Sequence, residues 1–436
     1  MLTLLKSYLK EALIPVLYGG GILTMLLTIF KRVEWGLFLM VFVIPQPNLW
    51  YKFHKLPMGK DYLDFLFVSI CLGLIVQGKG IIKSSTSFLL IAFVAMSYIS
   101  LVHGSSNFGL PFPITVDNPL FFPWKNYAQM IFMYLLVLNV IKTEDQQKII
   151  VVIMALAVLL IGVRSFRNFT ESVSFSYDRR AIGPFGPAGL GSNHFGAFIS
   201  DYCAALLGLY FFDKHKWRKW LYLGAVLFGL PALAFSYSRG AYLAFLAVLG
   251  VYGVTKKRAL LIVLVVLLVT WQYVLPVTVV ERIAMTRTEG GEIESSAASR
   301  LGLWDHALEL FNANPLFGVG FECFGFTVDV GEHRDTHSLF LKTLATQGIV
   351  GMLFLVVIFF KAFSSGLRLY RRTENPFHAG LAFGFLGCVI SFAVTNVFGD
   401  RWSYFVLGSY FWIFWALVDR TLINLDRDEA LEAPSR

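Results

Sequence analysis

Cysteine is scarce, and its four copies are scattered: Cys71, Cys203 and Cys388 lie within apolar runs, and Cys323 stands alone in a polar stretch. That pattern suggests neither a disulfide framework nor a thiolate metal site. Charge is thin too: Asp, Glu, Lys and Arg make up 15% of the 436 residues against 56% hydrophobic, with a mean hydropathy of +0.65. Soluble globular chains carry roughly 25% charged residues, so this balance excludes an ordinary soluble domain. No repeat of fixed period is visible and no Pro- or Ser-rich linker divides the chain, which reads as one membrane domain with one sizeable external loop.

What is present is a succession of apolar runs, near residues 13–30, 35–44, 62–76, 87–102, 127–141, 149–163, 194–212, 221–235, 241–254, 259–280, 338–360, 379–395 and 404–418. At about 17 to 25 residues per crossing, they predict an all-α polytopic membrane protein with about 12 or 13 transmembrane helices, the short 35–44 run being the marginal one. The first run lacks a polar region with small residues at a cleavage site, so it is expected to be a retained span rather than a signal peptide. A net charge of +9 would suggest nucleic acid in a soluble chain. Here the positive-inside bias explains it, and no nucleic-acid partner is expected. The densest basic clusters, 213–219, 256–258 and 361–372, are assigned to the cytoplasm. The segments 164–193, 236–240, 281–337 and 398–402 then share the opposite side. The N-terminus falls outside if 35–44 spans and inside if it does not. The predicted organisation is an N-terminal bundle over 1–280, an external loop over 281–337, C-terminal spans over 338–420 and a cytoplasmic tail over 421–436.

Arginines on the translocated side are the informative anomaly: Arg164, Arg167, Arg179, Arg180, Arg239, Arg282, Arg287, Arg300, Arg334 and Arg401. The insertion bias explains cytoplasmic cations only, so charges retained here point to something anionic. Arg239, in Ser236-Tyr237-Ser238-Arg239-Gly240 between two apolar runs, must lie at or just inside the bilayer boundary. It reads either as an interfacial arginine reaching to headgroups or as a diphosphate ligand, since a guanidinium bonds phosphate oxygens through a planar fork. Arg300 opens a predicted amphipathic helix with Leu301, Trp304, Leu308 and Phe311 on one stripe, ended by Asn312-Ala313-Asn314-Pro315. A cap at Ser296 or Ser299 would leave Arg300 in the first turn, where free backbone N–H groups also favour an anion; an incidental surface arginine is the alternative. The glycines and prolines of 179–193 force turns whose amides could line an anion pocket beside Arg179 and Arg180. That segment lacks the Lys-Ser/Thr of a phosphate loop.

His337 is the last residue before a span and the best general-base candidate on this face, with Asp335 able to orient it; capping the following helix is the competing role. The run from Glu332 to His337 also holds nitrogen and oxygen ligands suggestive of zinc. Its order is not that of a metalloprotease helix, an arginine intrudes, and no distant third cluster completes it, so no metal is expected. Aspartates spaced to hold Mg²⁺ on a diphosphate are missing from the other external loops, and arginine can supply the same neutralisation.

Five pieces in order over the second half of the chain resemble the O-antigen ligase and O-antigen polymerase superfamily. They are Arg180-Ala181-Ile182-Gly183-Pro184 with Gly191-Ser192-Asn193; Ser238-Arg239-Gly240; Ser299 to Trp304; Asn314 to Gly320; and Thr336 to Leu341 followed by Gly348-Ile349-Val350-Gly351. The resemblance implies a GT-C-like fold and transfer of an oligo- or polysaccharide from undecaprenyl diphosphate to an acceptor hydroxyl, with inversion, outside the bacterial inner membrane. It gives Arg239 and Arg300, with Arg180 added, the donor diphosphate and His337 the acceptor, without a cofactor. Lipid A core, a growing glycan or a protein side chain would each serve as acceptor, and the motifs do not separate them. The short N-terminal spans and the Trp35 to Met40 pattern are similar to the O-glycosylation ligases of exosortase systems. A flippase of the same lipid-linked glycan and a noncatalytic envelope scaffold are the rival classes.

Overall fold

The computed structural model describes residues 2–169, 180–284, 295–327 and 335–432, with the side chains of 2–12, 168–169 and 295–298 excepted. A hydrocarbon environment offers no partner for backbone N–H and C=O groups, so long apolar runs form helices that satisfy those groups internally. No strand occurs among the described residues. The helices are α1 (Leu2–Phe30), α2 (Val33–Val43), the short α3 (Pro47–Trp50), α4 (Tyr62–Val76), α5 (Ser85–Asn107), α6 (Phe121–Val140), α7 (Glu144–Phe169) and α8 (Ser192–Phe212). They continue with α9 (Lys216–Phe235), α10 (Arg239–Thr255), α11 (Ala259–Val274), α12 (Val277–Ala284), α13 (Ser295–Ala313), α14 (Leu339–Arg372), α15 (Pro376–Val397) and α16 (Phe405–Glu432).

Every predicted apolar run is occupied by helix, and the chain is an all-α polytopic membrane protein. Seven helices among the described residues are individually long and apolar enough to cross a bilayer: α1 from Leu13, α5, α7 to Arg167, α8, α14, α15 and α16. The run 259–280 is two helices, α11 and α12, bent by 104° at the break before Val277, where Pro276 lacks the N–H to continue α11. The remaining predicted crossings fall on α2, α4, α6, α9 and α10, which are shorter or carry polar residues in their first half.

The bundle has two ends. At one, Gln77 on the far side of α4 donates to the Thr28 carbonyl at 2.8 Å, Asn375 donates to Glu144 at 2.9 Å, and Arg372 pairs with Asp426 and Glu429. The basic turns after α8 and α10 belong here, with Arg218 and Lys256 stacked on Phe377 and Phe212. Tyr18 of α1 packs against Tyr62 at the opposite end of α4, so α1 and α4 run parallel with α2 returning between them. At 11 residues α2 is too short to cross a bilayer alone, and the chain completes its return to the start of α4 through α3 and the turns that follow it.

α8, α15 and α16 form the centre. Gly208 and Gly384 face each other so closely that a Cβ on Gly208 would lie 2.4 Å from the Gly384 Cα. Ser391 bridges the pair, donating to Asp201 at 2.6 Å, and α16 buries Phe411, Trp412 and Trp415. By contrast α11 buries no residue and flanks the bundle through α10.

α14 is interrupted at Gly348 (φ 62°, ψ −161°). The interruption frees backbone groups that the 315–320 segment takes up: Val319 and Gly320 N–H donate to Ala345 and Thr346 carbonyls at 2.9 Å, while Ile349 N–H donates to Pro315 at 2.8 Å. Gly318 and Gly348 make the close approach possible, since a Cβ at either would sit 2.4 Å from the opposing backbone.

α13 corrects two expectations. It starts at Ser295, four residues before Ser299, because Ala297 and Ala298 favour helix; neither Ser296 nor Ser299 caps it, and Arg300 lies in its second turn. Its buried face is Leu303 and Ala307 with Leu310 packed beside them, whereas Leu301 and Leu308 of the predicted stripe are exposed.

Candidate active site

Arg239 is placed by a turn that closes before α10. The Ser238 N–H donates to Ser236 Oγ at 3.2 Å, and Ser236 Oγ donates to the Leu233 carbonyl at 2.7 Å. Tyr237 between them is left-handed (φ 52°) and sends its hydroxyl to Thr278 Oγ1 at 2.9 Å. That bond seats α12 over the turn, with Thr278, Val279 and Arg282 on its buried face. Arg239 itself is the first residue of α10, at the positive end of that helix's dipole.

Arg401 arrives from the turn between α15 and α16. Asn396 Oδ1 accepts from the N–H groups of Arg401 and Trp402 at 2.8 and 3.0 Å, and Asp400 Oδ1 accepts from the Ser403 N–H at 2.9 Å. Arg401 is 5% exposed, its Nη1 donates to the Asp400 carbonyl at 3.2 Å, and its Nε has no partner among the described residues. Burial pulls the guanidinium below its ordinary value against the favourable Asp335 and Asp400 carboxylates, and Arg300 adds to the pull.

These elements enclose one cleft, with an empty volume of about 380 Å³ including its mouth. Arg239, Arg282, Arg300 and Arg401 all line it, together with Asn193, Tyr237, Thr395 and Phe398. Among the described residues the lining holds no carboxylate. Beneath Thr395 lies the buried Asp201. The nearby carboxylates face a different cation: Lys342 Nζ sits 2.6 Å from Glu322 and 2.9 Å from Asp400. That lysine holds Asp400 below the usual carboxylate range although burial works the other way, while burial raises Glu322.

His337 occupies a second left-handed turn (φ 53°) immediately before α14. The turn is fastened on both sides. Thr336 Oγ1 donates to the Ser338 carbonyl at 2.7 Å, and Trp304 Nε1 of α13 donates to the Thr336 carbonyl at 3.0 Å. His337 lies within electrostatic reach of His194, which also feels Arg401 and stacks edge-on against Tyr404.

Of the predicted site residues, Arg239 and Arg300 share the cleft. His337 is on the adjoining turn and does not line it. Arg180 stands behind one wall, donating from Nη2 to Asn193 Oδ1 at 2.7 Å and from Nε to the Ser236 carbonyl at 3.2 Å. Arg282 and Arg401 were visible only as two of ten arginines on one side, and nothing in their flanking sequence singles them out. Asn193 closes the Gly191-Ser192-Asn193 piece, and His194 follows it without a pattern of its own. Arg179, Arg287, Glu332, His333 and Arg334, and with them most of the zinc-like run, lie outside the described residues.

Comparison with curated proteins gives no match. The family model described as O-Antigen ligase matches residues 224–356, a stretch that contains Arg239, Arg282, Arg300 and His337 but neither Arg180 nor Arg401. Over that stretch the chain is similar to the O-antigen ligase family, and the match supports the resemblance to the O-antigen ligase and polymerase superfamily.

Proposed function

We propose that this protein is a glycosyltransferase that moves an oligo- or polysaccharide from undecaprenyl diphosphate to an acceptor hydroxyl at the periplasmic face of a bacterial inner membrane. The observation that carries the reading is the convergence of Arg239, Arg282, Arg300 and Arg401 on one cleft. Two unit positive charges 4 to 8 Å apart repel by about 2 to 4 kcal/mol at an effective dielectric near 20, so four together favour an anion of high charge. The N-termini of α8 and α10 reach the cleft at Asn193 and Arg239 and add their dipoles.

In the proposed reaction the acceptor oxygen bonds to the anomeric carbon as the bond from that carbon to the diphosphate oxygen breaks. The electron pair leaves with the diphosphate, and the configuration inverts. Charge grows on the leaving group as the reaction advances, so preplaced guanidiniums stabilise the transition state more than the bound donor. The hydroxyl proton passes to the His337 imidazole. The guanidiniums supply the neutralisation, and the reading requires no divalent ion.

Purified protein given a labelled lipid-linked glycan and, in turn, lipid A core, free glycan and peptide tests this and identifies the acceptor. Transfer should persist in chelator. Arg239→Ala, Arg282→Ala, Arg300→Ala and Arg401→Ala should each lower kcat by about 10² to 10³-fold with smaller changes in KM. His337→Ala should cost about 10² to 10⁴-fold. Undiminished transfer by these variants overturns the reading. Donor movement across vesicles without a glycosidic bond makes the protein a flippase instead.

A further inference from the structure

A second polar cavity opens at the same end of the bundle, with an empty volume of about 550 Å³ including its mouth. Its walls are Gln46 from the turn between α2 and α3, Asn48 from α3, Arg164 and Ser165 from the end of α7, and Arg180 with Gly183 from the segment before α8. Gly183 is left-handed (φ 55°), and a Cβ there would strike the Phe195 ring at 2.4 Å, so the backbone wall follows from glycine.

Two polar groups here are buried without satisfaction. Gln46 is 4% exposed, and its Nε2 has no hydrogen-bond partner among the described residues; the same holds for Asn48 Oδ1. Each such group costs about 1 to 3 kcal/mol if nothing meets it. One is a donor and the other an acceptor, and reversing both amides would only exchange the roles. A simple anion would satisfy Gln46 and not Asn48, and a cation the reverse, whereas a hydroxyl does both. Arg164 at the exposed mouth adds positive charge, which a carboxylate or phosphate on the ligand would complement.

We propose that this cavity binds an anionic sugar unit, a polyhydroxylated ring carrying a carboxylate or phosphate, belonging either to the donor glycan or to the acceptor. The assignment rests on the glycosyl-transfer reading. It adds a subsite next to the reacting centre: Arg180 lines this cavity and bonds Asn193, and Asn193 lines the arginine cleft.

The test uses the full chain in detergent, with Gln46→Leu and Arg164→Gln. Arg164 is exposed, so the second variant keeps the fold even if the first does not. In the transfer assay both should raise the KM of one substrate at least tenfold while kcat changes less than twofold. A rise for the lipid-linked donor assigns the donor glycan, and a rise for the acceptor assigns the acceptor. Unchanged KM for both substrates in both variants means the cavity holds solvent only and overturns the proposal. Titration with trigalacturonate and with neutral galactotriose separates this failure from failure of the transfer reading, because it needs no turnover. Wild type and Arg239→Ala should bind the acidic trimer at least tenfold more tightly than the neutral one. Gln46→Leu and Arg164→Gln should lose that preference, and its survival in both overturns the proposal.

Discussion

At Gly399 a single methyl group decides where Arg401 points. A Cβ there would lie 2.3 Å from Arg401 Nη2 and 2.5 Å from Cζ, so the guanidinium would have to move while the backbone need not. Gly399→Ala should therefore slow transfer by about tenfold or more, a loss of roughly 1.4 kcal/mol of transition-state stabilisation, with little change in thermal midpoint. Lys342 poses the complementary case. Replacing it with Met leaves Glu322 and Asp400 buried without their cation, which should destabilise the fold by about 3 to 5 kcal/mol at neutral pH. The pH dependence has a definite sign. Asp400 is held below its ordinary value in the folded wild type, so the stability it contributes is complete above about pH 4 and is lost as pH falls through the lowered folded value. In Lys342→Met that contribution is gone, and the deficit should shrink as the pH drops and the two carboxylates take up protons. Thermal unfolding in detergent between about pH 2 and 8 reads both effects. Sequence alone marked Arg239 and Arg300, each in a local pattern that suggests an anion. It could not choose Arg282 or Arg401 from the other arginines, because their place depends on the Tyr237–Thr278 bond and on the turn held by Asn396.

Tyr237, Glu322 and His337 are three of the four non-glycine residues with positive φ among the described residues, and all three lie at the cleft end. Such conformations cost about 1 to 3 kcal/mol each and persist where surrounding elements over-determine them. The interrupted α14 is the main such element, since its break lets the 315–320 segment dock through backbone hydrogen bonds just below the His337 turn. Gly348→Ala would put a Cβ 2.4 Å from the Leu316 backbone in a conformation open almost only to glycine. We expect a loss of about 2 kcal/mol or more, with early protease cleavage between residues 300 and 327 before global unfolding. The sequence contained both halves of this contact as Asn314 to Gly320 and Gly348 to Gly351. Their pairing was not legible, because hydropathy sees a continuous apolar run across the break. The buried face of α13 was misjudged for a related reason: Leu301 and Leu308 fit a helical stripe as well as Leu303, Ala307 and Leu310 do, and only packing against the α14 start decides between them.

Over the whole molecule, apolar periodicity made the helical bundle legible nearly throughout, because a hydrocarbon solvent leaves the backbone few alternatives. The direction of α1 was not legible, since it depends on whether eleven residues of α2 complete a traverse. The bundle separates a basic-turn end from the cleft end, which predicts opposite accessibility across a membrane. Thr115→Cys, in the turn after α5, should react with an impermeant maleimide from the periplasmic side, and His215→Cys from the cytoplasmic side only. Native thiols give little background, with Cys203, Cys323 and Cys388 buried. Reaction of both from one side would contradict the topology. The cleft itself is best interrogated by a density map of the full chain with undecaprenyl diphosphate bound. Its phosphates should lie within hydrogen-bonding distance of Arg239, Arg282, Arg300 and Arg401, with the His337 turn facing the outer phosphate. A headgroup seated anywhere else, including the cavity of Arg164 and Arg180, would contradict the assignment of the four-arginine cleft to the donor.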